Sequence, residues 1–183
     1  MHIRKWGILA LIAVGASLPA GPGLAAGQRA TSEKGRSRIT REVRHELVML
    51  PYYSVFDNLA FEVQGDTVTL LGQVTRPVLK SDAENVVKGI EGVEHVANKI
   101  EVLPSSPGDD RIRLAVYRAI YGATALQKYA IQAIPSVHII VNNGQLTLEG
   151  VVNNEADKNI ANMRAKSVPG VFSVTSNIRV EKD

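Results

Sequence analysis

Apolar residues recur along this chain in two alternating rhythms, and the rhythms come in the same order twice. Ile39, Val43, Leu47 and Leu50 fall on one stripe at helical spacing, and Pro51 stops that helix. Phe61 and Val63 then alternate into a turn at Gly65-Asp66, and Val68, Leu70, Gly72 and Val74 alternate out of it. That is the period of a half-buried hairpin. Pro77 suits the first turn of a second helix, whose buried side is marked by Leu79, Ala83, Val86, Val87 and Ile90. Gly92 stands where that helix ends in the left-handed conformation, and Val96, Ile100 and Val102 alternate along a last strand.

The second half repeats the order. Asp109 or Asp110 can cap a helix whose stripe is Ile112, Val116, Ala119 and Ala123. Val137, Ile139 and Val141 lead into Asn143-Gly144, a dipeptide that accepts the positive φ of a type I′ turn. Leu146, Leu148, Gly150 and Val152 follow, then a helix, Gly170, and a strand through Val174, Ile178 and Val180. A shift of 78 lays VTLLGQV (68–74) on LTLEGVV (146–152) and GVEHVANKIEV (92–102) on GVFSVTSNIRV (170–180). About twelve of the forty-four positions from Leu59 to Val102 then match identically. Upstream, Ile39 to Leu47 matches Ile112 to Ile120 at a shift of 73, so the second copy is about five residues longer there. Two copies of one supersecondary unit is the dominant signal.

The fold class expected is α+β: two tandem αββαβ units, each a small three-stranded mixed sheet with two helices packed on one face. A short Pro/Ser linker, residues 104–108, separates a first domain at 39–103 from a second at 109–181. Ahead of them, His2, Arg4 and Lys5 precede the apolar run Trp6 to Leu18, then the helix-breaking stretch PAGPGLAAG. That is the three-part pattern of a secretory signal peptide over residues 1–25, with Gly23 and Ala25 as the small residues before cleavage. About thirteen apolar residues are too few to cross a bilayer that needs about 20. Residues 26–38 read as a basic flexible arm, and the mature protein is expected in a periplasm or outside the cell.

Composition narrows the chemistry. There is no Cys among 183 residues, which excludes disulfides, thiolate catalysis and a lipidated N-terminal cysteine. His45, His95 and His138 lie in different elements without a second ligand at i+2 or i+4, so no metal site or cofactor is expected. Glu62, Asp66, Asp82 and Glu84 fall at solvent-facing positions, and no catalytic group is assigned. Gly89-Ile90-Glu91-Gly92 has the spacing of an RNA-clamping loop but ends a helix in an acidic unit, so no nucleic acid is expected. Residues 41–104 carry six basic and ten acidic residues, and 109–183 carry nine and seven. Oppositely charged halves can attract one another.

The motif VTLxG-x-V, the second helix and the closing G-V-x-x-V-x-x-x-I-x-V resemble the BON domain family, named for bacterial osmotic-stress and nodulation proteins. The resemblance covers both repeats, about residues 39–181. It implies a periplasmic, non-enzymatic module associated with phospholipid surfaces, envelope integrity and osmotic stress. The partners implied are an anionic phospholipid membrane surface, met peripherally, or envelope proteins. A protein-interaction or chaperone-like module that never touches lipid is the alternative.

One surface stands out for binding. With Ile112 at 0° and 100° per residue, Leu114, Tyr117 and Tyr121 fall at about 200°, 140° and 180°, opposite the apolar stripe. Arg113 flanks them near 100°, with Arg118 and Arg111 near 240° and 260°. Tyrosines and a leucine bordered by arginines suit the headgroup layer of an anionic bilayer. They suit the acidic surface of the first copy equally well. Arg164, aligned with Val86 on the apolar side of its helix, is expected to snorkel. Gly72, Gly92, Gly144, Gly150 and Gly170 are read as structural turn and cap positions.

Overall fold

The computed structural model describes residues 22–181, with side chains from residue 33 onward; the signal segment as far as residue 21 lies outside the described residues. Helix α1 runs Pro22–Val48, followed by strands β1 (Asn58–Gln64) and β2 (Thr67–Val74) and helix α2 (Pro77–Lys88). The third strand of this unit comes in two pieces, β3 (His95–Asn98) and β4 (Glu101–Val102). The second unit holds α3 (Pro107–Tyr121), a 3₁₀ segment Thr124–Ala130, β5 (Val137–Asn142), β6 (Gln145–Val152), α4 (Glu155–Lys166) and β7 (Ser173–Val180). No helix among the described residues is long and apolar enough to cross a membrane.

The two units have the expected αββαβ topology. β1 pairs antiparallel with β2, and β2 pairs parallel with β3 and β4. β5, β6 and β7 repeat that arrangement. Each sheet has one apolar face, and its two helices cover it. In the first unit Ile39, Val43 and Leu47 from α1 meet Leu79, Ala83 and Val87 from α2 over Val63, Val68, Leu70, Val74 and Ile100. In the second, Val116 and Ile120 meet Ala161 and Ala165 over Val137, Ile139, Val141, Leu146, Leu148 and Ile178.

Gly72 and Gly150 explain the shared L-x-G of the two hairpins. Their φ angles are 112° and 130°, and a Cβ at either would lie 2.0 Å from a backbone carbonyl oxygen opposite, that of Asn58 at the start of β1 or of Ser136 just before β5. At the Asn143-Gly144 turn both residues take positive φ, 51° and 75°, as a type I′ turn demands.

Several expectations need correction. Residues 26–38 are helical, because α1 extends back to Pro22. Pro22 opens the helix where its missing N–H costs nothing, and Ala25, Ala26, Gln28, Arg29 and Ala30 are strong helix formers that outweigh Gly23 and Gly27. Gly92 and Gly170 do hold positive φ, 84° and 89°, but α2 and α4 end earlier, at Gly89 and Ser167 in right-handed conformation. The left-handed glycines turn the chain toward the last strand, facing Ile39 and Ile112 respectively. The cap of α3 is Ser106, whose Oγ accepts from Asp109 N at 3.2 Å, so the helix begins inside the 104–108 linker. The last strand of the first unit is interrupted because Asn98 Oδ1 accepts the Ile100 N–H at 3.1 Å. Ser176 holds the corresponding place in the unbroken β7.

Candidate functional site

The chain between α1 and β1 is where the first unit enters the second. Val55 is buried in the second unit's core and Phe56 packs against it. Ile139 N on β5 donates to Val55 O at 2.8 Å, so the segment lies along the outer edge of the second sheet. Phe56 meets Tyr117 of α3 edge-on at 6.2 Å between ring centroids, and Tyr53 stacks on His138 at 5.7 Å. Burial pushes the Tyr53 hydroxyl up to about 12. It also lowers the His138 pKa, outweighing the raising effects of Asp57, Ser54 and Glu149.

Asp57 locks this segment. Its side chain is fully buried, and Oδ1 accepts from Thr75 N at 2.6 Å and Thr75 Oγ1 at 2.8 Å. Oδ2 accepts from Ser54 N at 3.1 Å and Ser54 Oγ at 2.6 Å. Four donors around one carboxylate fix where Val55 and Phe56 point.

The α3 residues singled out as a contact face do not stay together. Arg113 and Tyr121 are buried; Tyr117 is half-buried beneath Phe56; Arg111, Leu114 and Arg118 are exposed. The wheel centred on Ile112 omits Ile120, which is fully buried, and the true core direction lies about 80° further round. Tyr121 turns inward because its hydroxyl has a partner there: it donates to Val137 O at 2.6 Å and accepts from Val137 N at 3.2 Å. Arg113 turns inward for the same reason, donating from Nη2 to Val141 O at 2.7 Å and from Nη1 to Asp110 Oδ1 at 2.5 Å. Next to it Asp109 holds the hairpin tip, accepting from Gly144 N at 2.8 Å and Asn143 N at 2.9 Å.

What remains outward on α3 is an Arg111–Leu114–Arg118 stripe. Helix α1 carries a longer one: Lys34, Arg41, Arg44 and Val48 share its solvent side and are all exposed. Met49 and Tyr52, just past the stripe in sequence, are exposed too, as is Val78 on α2. Tyr52 takes φ 68°, unusual for a residue with a side chain, and the Arg76 guanidinium lies 4.9 Å over its ring. Only Lys34 of this stripe lies within residues 26–38; Arg41, Arg44 and Val48 lie on the helix of the first repeat, opposite the apolar stripe Ile39, Val43 and Leu47.

A third buried carboxylate, Asp157, takes the register that apolar Leu79 holds in the first repeat. It accepts from Tyr129 Oη and Asn154 Nδ2 and pairs with Lys128 Nζ at 2.7 Å. Burial alone raises its pKa, but the Lys128 and Tyr129 hydrogen bonds hold it below the usual carboxylate range. The network closes the end of the second unit where the longer 3₁₀ segment sits. Arg164 is exposed, beside a cavity with Ala123, Ile160 and Met163. Among the described residues no group of three or more His, Asp or Glu could hold a metal ion.

The BON domain profile matches this chain twice, at residues 36–104 and 109–182. Osmotically-inducible protein Y of Escherichia coli (strain K12) is 29% identical over 147 residues, 79% of this chain and 72% of that protein. Two solved chains of CdsD, a structural protein of the type III secretion system of Chlamydia trachomatis, are 15% and 16% identical. Matches to them cover 80% and 77% of this chain and 93% and 96% of theirs, with TM-scores of 0.28 and 0.27, too low to carry an argument.

Proposed function

The chain belongs to the BON domain family, and from that premise we propose that it is an exported, non-enzymatic envelope protein whose surface binds anionic phospholipid. A role in osmotic stress draws support from the likeness to an osmotically-inducible protein. Export draws support from the charged start and short apolar run of residues 1–25.

One observation carries the lipid reading: the first helix of each repeat turns a basic stripe with an apolar member outward, Lys34–Arg41–Arg44–Val48 on α1 and Arg111–Leu114–Arg118 on α3. Arginine pairs with lipid phosphate while an exposed aliphatic side chain enters the headgroup boundary. Each cation near such a surface contributes about 1 kcal/mol. Replacing Arg41, Arg44, Arg111 and Arg118 by Glu should abolish sedimentation of the mature protein with anionic vesicles and shift its thermal midpoint by only a few degrees. Undiminished sedimentation of that variant would remove the stripes as the lipid site. A protein-interaction module is the second reading, favoured by the outer edge of β1, beyond which no strand lies among the described residues.

A further inference from the structure

The two sheets have the same register, but their outer edges are treated differently. On β5 the edge is occupied: Ile139 N donates outward to Val55 O, Ile139 and Ile140 are buried, and His138 lies under Tyr53. On β1, one repeat earlier, Phe61 faces Leu70 as Ile139 faces Leu148. Antiparallel ladders turn backbone groups alternately toward the partner and toward the edge. Phe61 N–H therefore points outward, as Ile139 N–H does. No strand lies beyond β1 among the described residues; Ala60, Glu62 and Gln64 are exposed and Phe61 is half-exposed. A groove of about 360 Å³ runs along this edge, lined by Arg36 and Thr40 of α1 and by Phe61 to Gln64.

We infer that the β1 edge is a docking site for an extended segment of another polypeptide, which adds to the first sheet as Ser54–Phe56 adds to the second. The occupant is defined by the edge and its surroundings. Backbone carbonyls pair with the outward N–H of Phe61, and an apolar side chain enters the groove over the Phe61 ring, as Val55 enters the second core. An acidic residue meets Arg36, with Arg41 and Arg44 along the same helix. A second copy of this chain is a poor occupant. Antiparallel pairing of two β1 edges about Glu62 would set like charges opposite one another and bring two basic helices together.

The test uses the mature chain and a fluorescein-labelled peptide of the sequence PYYSVFDN, this protein's own residues 51–58. Saturable binding in fluorescence anisotropy is expected, with amide shifts in ¹H–¹⁵N spectra confined to residues 36–40 and 60–64. Arg36→Glu should weaken binding at least fivefold. Phe61→Pro, which removes the outward donor, should abolish binding with native far-ultraviolet dichroism retained; if that variant is misfolded, Arg36→Glu decides alone. No saturation at 1 mM peptide would overturn the proposal. So would shifts centred on β5, or a β1 response to anionic vesicles without any response to peptide.

Discussion

Replacing Asp57 by Ala should destabilise the protein more than most single core truncations. The carboxylate is fully buried and accepts four hydrogen bonds, two of them from the backbone N–H groups of Ser54 and Thr75. A hydrogen bond to a charged group is worth about 1.5–3 kcal/mol, and each buried N–H left without a partner costs about 1–3 kcal/mol. These effects are not additive, and the native state already bears the cost of desolvating the carboxylate. The expected net loss is about 3–5 kcal/mol, or a thermal midpoint lowered by roughly 6–20 °C for a chain of this length. Asp57→Asn keeps the shape and one acceptor oxygen, so it should lose about half as much. Urea unfolding followed by circular dichroism measures both, and hydrogen exchange at the Ile139 amide reports whether the Val55 segment has left the β5 edge. A loss below about 1 kcal/mol for Ala, or equal losses for Ala and Asn, would refute the claim that this carboxylate anchors the segment.

Gly150→Ala should cost about 3 kcal/mol in the same denaturation assay, because its Cβ would lie 2.0 Å from Ser136 O at a φ of 130°. Gly65→Ala, at a φ of 65° with open space around it, should cost about 1 kcal/mol. His138 introduces a pH dependence. Burial lowers its pKa in the folded protein, so the unfolded chain binds its proton first as pH falls. The stability this neutral imidazole contributes is present above the ordinary histidine value near 6.5 and is lost on acidification toward the lowered folded value. Thermal melts between pH 7.5 and 5.5 should show the loss, and His138→Asn should flatten that part of the profile.

The fold was largely legible in the sequence because both repeats write it in alternation: Val68, Leu70 and Val74, or Leu146, Leu148 and Val152, can face inward only as strands. Gly72 and Gly150 stood out in the sequence as turn or cap positions; the structure puts both inside strands, where the backbone opposite leaves no room for a side chain. The face of α3 was not legible, because a helical wheel counts apolar atoms and ignores hydrogen bonds. Tyr121 and Arg113 are buried through polar ends that reach the carbonyls of Val137 and Val141. The insertion of Val55 and Phe56 into the second core was equally hidden: it joins residues more than eighty positions apart, from Val55 to Ile139, and depends on a carboxylate in the nine-residue connection between α1 and β1. The helix over residues 26–38 was hidden for a local reason: charge and the glycines Gly27 and Gly35 masked a run of good helix formers around them.

The central claim, that this surface binds anionic phospholipid, is tested most directly by sedimenting the mature protein with vesicles of increasing anionic content at several salt concentrations. The outward stripes on α1 and α3 predict binding that rises with anionic fraction, falls steeply as salt screens the arginines, and vanishes on zwitterionic vesicles. Binding indifferent to both lipid charge and salt, or no binding to fully anionic vesicles at low salt, would contradict it.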